Sequence, residues 1–192
     1  MRYAIVFLTL LPAGFGQQAD SSPYLRNELS AGFRYEVKLG QNSYNLNDAP
    51  GYDVKYSYRP VRWLALEAGM EQIFRPIGSS ICCRYQSTAA DDLFLVPFGV
   101  RYVWAPATGR LRLSAGGGGA YFNHAIGNEI SAYDLVSLSA WGAQFVAGGD
   151  YALTHSARFR AGLTVRYYYV PVRAEQVARI LTVGPDFTFS FR

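Results

Sequence analysis

The residues able to perform acid–base or metal chemistry in this chain are few. Among 192 residues there are two histidines, His124 and His155, and two cysteines, Cys82 and Cys83. A metal centre or a catalytic triad brings several such groups together at one place. The histidines fall in two different connections and the cysteines are adjacent in a third, so we predict no catalytic residue, no metal site and no cofactor.

Structural roles fit the cysteines, the histidines and a run of glycines better than catalytic roles do. A vicinal cysteine pair in an oxidising compartment forms a strained ring, pairs between chains or stays reduced, and we favour a structural or incidental role over a redox role. His124 is assigned to a long loop and His155 to a short turn at the opposite end of the fold, both as solvated residues. The glycine run 116–119 lies within a strand and lacks the Lys-Ser/Thr of a phosphate loop.

Charged side chains form a larger set than the histidines and cysteines. They recur at every second position of extended segments, here called one parity, and glycines stand between them. The predicted set is Arg34, Glu36, Asp53, Lys55, Glu67, Glu71, Arg101, Arg112, Asp150, Arg160, Arg166 and Asp186. Charges enclosed in one narrow interior must pair or be solvated, so we expect a network of arginine–carboxylate pairs between neighbouring strands.

Eight segments with period-two alternation carry these charges. They are about 29–37, 52–58, 64–74, 93–104, 111–122, 138–153, 158–169 and 180–191. One parity of each segment is apolar and the charges fall on the other, which indicates strands with two unlike faces. The connections after the second, fourth and sixth segments are short. The longer ones are 38–51, 75–92, 123–136 and 170–179. This alternation of short and long connections is typical of outer-membrane barrels.

Aromatic residues make up 16% of the chain and charged residues only 17%, against about 25% charged in ordinary soluble domains. On the apolar parity, a large apolar residue stands near each end of most segments. The two are ten residues apart, as Phe94 and Trp104 are. Ten residues of tilted strand rise roughly 25 Å, the height of a lipid-facing band. We therefore predict two aromatic girdles. Their members are Tyr58, Phe74, Phe94, Trp104, Tyr121, Trp141, Tyr151, Phe159, Tyr169 and Phe191.

The N-terminal residues indicate secretion. Arg2 precedes an apolar run over 4–11, and Gly14 and Gly16 are small residues before a cut. This order predicts a cleaved signal peptide over 1–16, a lead-in over 17–28 and one barrel domain over 29–192. No uncharged apolar stretch reaches 18 residues, which argues against a helical membrane span. The net charge of +4 is not gathered into a basic run, so we expect no nucleic-acid partner.

Over residues 29–191 the chain resembles the small eight-stranded outer-membrane β-barrel proteins of diderm bacteria. The stretch 184–191 begins with Gly184 and alternates Phe187, Phe189 and Phe191, and it resembles the C-terminal signal read by the barrel-assembly machinery. Arg192 follows the last aromatic, where the family usually ends on one. The resemblance implies an all-β, eight-stranded, antiparallel up-and-down transmembrane barrel surrounded by outer-membrane lipids, with both ends periplasmic and the long connections outside.

The function expected of such a barrel is a structural or interaction role through its extracellular loops, as a monomer and without enzymatic activity. Two alternatives stay open. Some lipid-A deacylases are eight-stranded barrels with a His-x-Ser pair, but here Ala125 and Ile126 follow His124. A soluble, secreted, lipocalin-like ligand-binding barrel would instead turn the apolar parity inward. A general porin is disfavoured because eight strands leave no wide channel.

Overall fold

The computed structural model describes residues 25–39, 49–76, 90–106, 110–126, 136–173 and 176–192. These residues form eight strands. They are β1 (Asn27–Lys38), β2 (Ala49–Val61), β3 (Leu64–Pro76), β4 (Ala90–Trp104), β5 (Leu111–Ile126), β6 (Val136–Ala152), β7 (Phe159–Arg173) and β8 (Gln176–Phe191). The described residues contain no helix that is long and apolar enough to cross a bilayer.

The strands close into one barrel in sequence order. Each strand pairs antiparallel with the next, and β8 returns to pair with β1 through Asn27 opposite Phe191 and Lys38 opposite Ile180. Closure leaves no unpaired sheet edge, so the backbone donors and acceptors of every strand find partners on both sides. The all-β, eight-stranded, antiparallel up-and-down barrel predicted by the period-two pattern is confirmed.

The two ends of the barrel differ in their connections. The connections β2–β3, β4–β5 and β6–β7 lie at one end, here called the turn end, together with residues 25–26 and Arg192. The turn between β2 and β3 is Arg62 and Trp63 alone. The other four connections lie at the opposite end, here called the loop end.

The strands extend farther toward the loop end than the sequence pattern predicts. The prediction of a long connection over 170–179 is wrong, because β7 runs to Arg173 and β8 begins at Gln176. The backbones of these two residues face each other across the hairpin, past an irregularity near Pro171. At the turn end β1 begins at Asn27, so Glu28, assigned above to the lead-in, is a strand residue.

Burial alternates along the strands, and over most of their length small and charged residues lie inside while large apolar residues lie outside. Gly119 leaves room for a large side chain on the outer face. The ring of Phe98, on the neighbouring strand, lies directly over it. A Cβ at Gly119 would stand 2.9 Å from Cε2 of Phe98. The outward apolar face is the reverse of a soluble lipocalin-like barrel, in which the apolar parity points inward.

Candidate functional site: a charged interior beneath an apolar cluster

The interior of the described barrel carries equal numbers of opposite charges. Its acidic residues are Glu28, Glu36, Asp53, Glu67, Glu71, Asp150 and Asp186, and its basic residues are Arg34, Lys55, Arg59, Arg101, Arg112, Arg160 and Arg166. Seven of each leave the described interior side chains without net charge. Glu28 belongs to this set although it is absent from the predicted one, whereas Arg158, on the inward parity, is exposed at the turn end.

One group of charges joins β1, β2 and β8. Arg34 Nη2 donates to Asp53 Oδ2 at 2.8 Å and to Asp186 Oδ1 at 2.5 Å. Lys55 Nζ donates to the other oxygen of Asp186 at 2.6 Å, and the Thr164 hydroxyl donates to the same oxygen. Each carboxylate therefore lies between two cations, which is the arrangement that offsets the cost of burying charge.

A second group links β3 to β4 and β7. Glu67 accepts from Arg166 Nη2 at 2.5 Å on one oxygen and pairs with Arg101 Nη2 at 2.7 Å on the other. The Tyr168 hydroxyl, two residues beyond Arg166, donates to Glu71 Oε2 at 2.8 Å. The side chains of Glu67, Glu71 and Arg166 are each at most 1% exposed.

A third group lies nearest the turn end. Arg112 pairs with Glu28, and its Nη2 stands 2.9 Å from Asp150 Oδ2. Arg160 pairs with the other oxygen of Asp150. Arg59 Nη1 approaches Glu28 Oε1 at 3.4 Å. Glu28 therefore gathers cations from β2 and β5.

Three of these links cross the barrel rather than joining neighbouring strands. In an eight-stranded ring, β3 stands opposite β7 and β1 stands opposite β5. The pair Glu67–Arg166 and the hydrogen bond from Tyr168 to Glu71 span the first diameter, and the pair Glu28–Arg112 spans the second. Sequence periodicity predicts pairs between neighbouring strands, and these cross-barrel pairs are additional. They brace the wall from within at two levels.

One small cavity is described within the charged interior. A polar cavity of about 20 Å³ lies toward the turn end, lined by residues that include Lys55, Arg101, Ser114 and Thr188. A volume of this size holds about one water molecule. It does not admit a solute of the size that general porins conduct.

Toward the loop end most of the described interior side chains are apolar. The buried cluster consists of Ala49, Ile73, Leu93, Leu95, Ala120, Phe122, Tyr168, Val170, Val172, Ala178 and Ile180, with Leu138 and Ala140 packed against it. Leu93 and Phe122 are fully buried from solvent. Glu36, the predicted charge nearest the loop end, is also completely buried. The charged groups therefore lie beneath an apolar closure.

His124 lies inside this closure, so its assignment to a solvated loop is wrong. The strand β5 continues to Ile126, and the His124 side chain is 1% exposed with its ring 6.3 Å from that of Phe122. His155 is exposed in the β6–β7 turn, as predicted. The two histidines stand at opposite ends of the barrel and do not meet.

A signal for the apolar cluster was present in the sequence. Leu93, Leu95, Phe122, Val170 and Ile180 occupy the inward parity of their strands. Four of the five also fall at or beyond the loop-end limits of the eight segments, where the alternation of apolar and polar residues breaks down. Extending the parity count past those limits identifies them as interior residues.

The predicted girdle residues lie on the outer surface. Phe74, Trp104, Trp141, Tyr151, Phe159 and Phe191 are among the large apolar residues that stand exposed there, while Phe94 and Tyr121 are partly covered. Toward the loop end, Trp141 packs against Tyr121 with ring centroids 5.2 Å apart. Toward the turn end, Phe159 packs against Phe189 at 5.0 Å. The remaining two, Tyr58 and Tyr169, are also exposed outward.

Within the described ranges no three His, Cys, Asp or Glu side chains are placed to hold a metal ion. The predicted signal peptide over 1–16 and the pair Cys82 and Cys83 lie outside the described residues.

Comparisons with known proteins find structures with a similar fold but no curated protein with a similar sequence. No protein-family model matches the chain, and no curated protein matches it. Among solved structures, the attachment invasion locus protein Ail of Yersinia pestis has 15% sequence identity and a TM-score of 0.57, and the match covers 86% of this chain and 99% of Ail. Neisserial surface protein A is 12% identical with a TM-score of 0.58, covering 87% and 97%.

The N-terminal β-barrel domain of Pseudomonas aeruginosa OprF is similar in the same way. It is 14% identical with a TM-score of 0.53, and the match covers 86% of this chain and 100% of that domain. Each match extends over nearly the whole of the other barrel. The chain therefore has the fold of the small eight-stranded outer-membrane β-barrels.

Proposed function

We propose that this chain is an integral protein of the outer membrane of a diderm bacterium, with a structural or interaction role and no enzymatic activity. The observation that carries the proposal is the inverted distribution of side chains. Twenty-seven large apolar residues of the described surface are exposed, while seven acidic and seven basic side chains lie in the interior, most of them in ion pairs. A monomeric soluble protein rarely exposes so much contiguous apolar surface, because water contact with it is unfavourable.

The height of the apolar surface fits a bilayer. On β4, Phe94 and Trp104 are ten residues apart on the outer face, which corresponds to roughly 25 Å along the axis of a tilted-strand barrel. Outer-membrane barrels carry an apolar band of about this height between two aromatic girdles. In this orientation the turn end is periplasmic and the loop end is extracellular.

The loop end is built to present the connections above the membrane. Beyond the girdle residues Tyr121 and Trp141, the outward positions of β5 and β6 become polar. Asn123 Nδ2 donates to Ser137 Oγ at 3.0 Å and to Ser139 Oγ at 3.1 Å on this outer surface. The two strands therefore continue past the apolar band, and we propose that they raise the extracellular loops to contact a surface or ligand.

The filled interior supports this role over conduction. Charge pairs occupy the part nearer the turn end, and the apolar cluster closes the part nearer the loop end. We propose that the barrel is monomeric, that outer-membrane lipids surround it, and that the barrel-assembly machinery recognises residues 184–191. Phe187, Phe189 and Phe191 all point outward along this stretch, where another protein can reach them.

Fractionation of the native protein tests the proposal. We expect it in the outer-membrane fraction, extractable only with detergent, and migrating faster on gels before boiling than after. Recovery as a soluble periplasmic monomer would overturn the membrane assignment. The enzymatic alternative is tested separately by comparing lipid-A acyl chains from cells with and without the protein. Unchanged acyl chains are expected, and a shortened set would show deacylation.

A further inference from the structure

Exposed positive charge gathers at the turn end of the described barrel. Five exposed arginines lie there and are here called the arginine rim. They are Arg26, Arg62, Arg110, Arg158 and Arg192. The seven acidic and seven basic side chains described in the interior balance each other, so they do not offset this exposed charge.

The described carboxylates nearest to the arginine rim lie inside the barrel. Glu28 and Asp150 point into the barrel, where both pair with Arg112. Among the described residues of the turn end no exposed aspartate or glutamate accompanies the arginines. The exposed charged side chains described at the turn end are therefore all positive.

The backbone of the arginine rim is held in place by neighbouring strands. The Arg110 carbonyl accepts bonds from Ala152 N and from Arg160 Nη2, both at 2.8 Å. The Arg158 carbonyl accepts from Ser190 N at 2.7 Å. These bonds fix the backbone points from which the Arg110 and Arg158 side chains extend.

Aromatic side chains lie beside the arginine rim on the outer surface. Trp63 is half-exposed next to Arg62 and packs against Tyr102 with ring centroids 6.2 Å apart. Arg110 lies 3.5 Å from the Tyr151 hydroxyl and 3.4 Å from His155 Nδ1. Aromatic residues of this kind occupy the membrane–water interface, and arginine side chains adjacent to them reach the headgroup region.

We propose that the arginine rim binds the phosphate groups of anionic phospholipids in the periplasmic leaflet. The inference rests on the proposed membrane location and adds the ligand class and the residues. A guanidinium donates two parallel bonds to phosphate oxygens, and basic residues just outside a membrane-spanning segment attract anionic lipids. An exposed arginine just outside the aromatic girdle meets both requirements at each of the three connections of the turn end.

The test compares headgroup selectivity in the full chain and two variants. The protein is folded into phosphatidylcholine vesicles, and electron spin resonance measures the binding of spin-labelled phosphatidylglycerol relative to spin-labelled phosphatidylcholine. The first variant combines Arg62→Gln, Arg110→Gln and Arg158→Gln. The second, Arg179→Gln, removes an exposed arginine near the loop end of β8 as a matched control. Heat-modifiable gel mobility establishes that each protein is folded.

We expect the wild-type barrel to bind phosphatidylglycerol more strongly than phosphatidylcholine. In the triple variant the ratio of the two binding constants should fall at least about fivefold. Arg179→Gln should keep the wild-type ratio. Folded, inserted wild-type protein without a preference, or a triple variant that keeps it, would overturn the proposal. Failure to insert would contradict the membrane location itself, so the two failures are distinguishable. Arginine-dependent sedimentation with purified peptidoglycan, without lipid selectivity, would assign the arginine rim to the cell wall instead.

Discussion

Arg166 and Glu67 meet across the barrel interior, with Arg166 Nη2 at 2.5 Å from Glu67 Oε1 and both side chains 1% exposed. They come from β7 and β3, which are separated by 99 residues in the chain and stand opposite each other in the ring. No local hydrogen bond of the sheet brings these two strands together. The pair exists because barrel closure faces them toward one another, and it braces the wall at this level.

Breaking this cross-barrel pair is expected to destabilise the fold. Arg166→Met leaves Glu67 with Arg101 as its only close cation and removes a neighbour of Glu71, so we expect a loss of about 3–5 kcal/mol in the free energy of unfolding. Urea unfolding in phospholipid vesicles measures it. The double variant with Glu67→Gln should lose less than the sum of the single variants, and strict additivity would show that the two groups do not interact.

The hydroxyl of Tyr168 has a defined structural role at the boundary between the charged and apolar parts of the interior. Tyr168→Phe removes the bond to Glu71 and leaves a buried carboxylate with one donor fewer, at a cost of about 1–3 kcal/mol. Tyr167→Phe is the matched control, because Tyr167 is next in sequence and lies on the outer parity. Equal losses of unfolding free energy in the two variants would contradict the assigned bond.

Phe98 tests whether the outer face contacts the bilayer interior. It lies six residues from Trp104 along β4 and is 43% exposed, which places it near the middle of the apolar band. Phe98→Arg should cost about 2–4 kcal/mol of unfolding free energy in vesicles, whereas Leu153→Arg near the turn end should cost about 0–1 kcal/mol. The face assignment fails if the arginine at position 98 is tolerated as well as the one at position 153.

The apolar closure makes a separate prediction. Phe122 is completely buried in it, so Phe122→Ala should leave a cavity and cost about 3–5 kcal/mol. Phe145→Ala removes a ring of equal size from the outer face, where Phe145 is 59% exposed and lipid chains can fill the space. We expect a smaller loss for Phe145→Ala in the same unfolding measurement. The reverse order would show that the cluster is not packed.

Gly184 is required where β8 approaches β1 at the closing seam. A Cβ there would collide with the Phe33 carbonyl oxygen, and a backbone group cannot move aside as a side chain can. We expect Gly184→Ala to cost about 1–3 kcal/mol and to lower the refolded fraction on heat-modifiable gels. At Gly149 a Cβ would meet the flexible end of Leu113 at 2.9 Å, so Gly149→Ala should refold normally, and equal yields would contradict the seam argument.

Period-two patterning was sufficient to predict most of the barrel. The alternation in Phe94, Val96 and Phe98, for example, assigns an outer face without any structure, because successive side chains of a strand point to opposite sides. The limits of the strands were harder to predict. At Val170 and Ile180 both parities are largely apolar, so the alternation disappears and the hairpin resembles a loop in sequence.

The sequence by itself determined which residues share a face, how many strands there are and that the three turn-end connections are short, because these follow from local backbone geometry and composition. Tertiary structure alone decided which charges meet, since Glu67 and Arg166 become neighbours only when eight strands close with a particular register. It also separated the interior into a charged part and an apolar part and moved His124 from a supposed loop into the barrel. Each of these features depends on the relative height of residues on different strands, which a one-dimensional pattern does not contain.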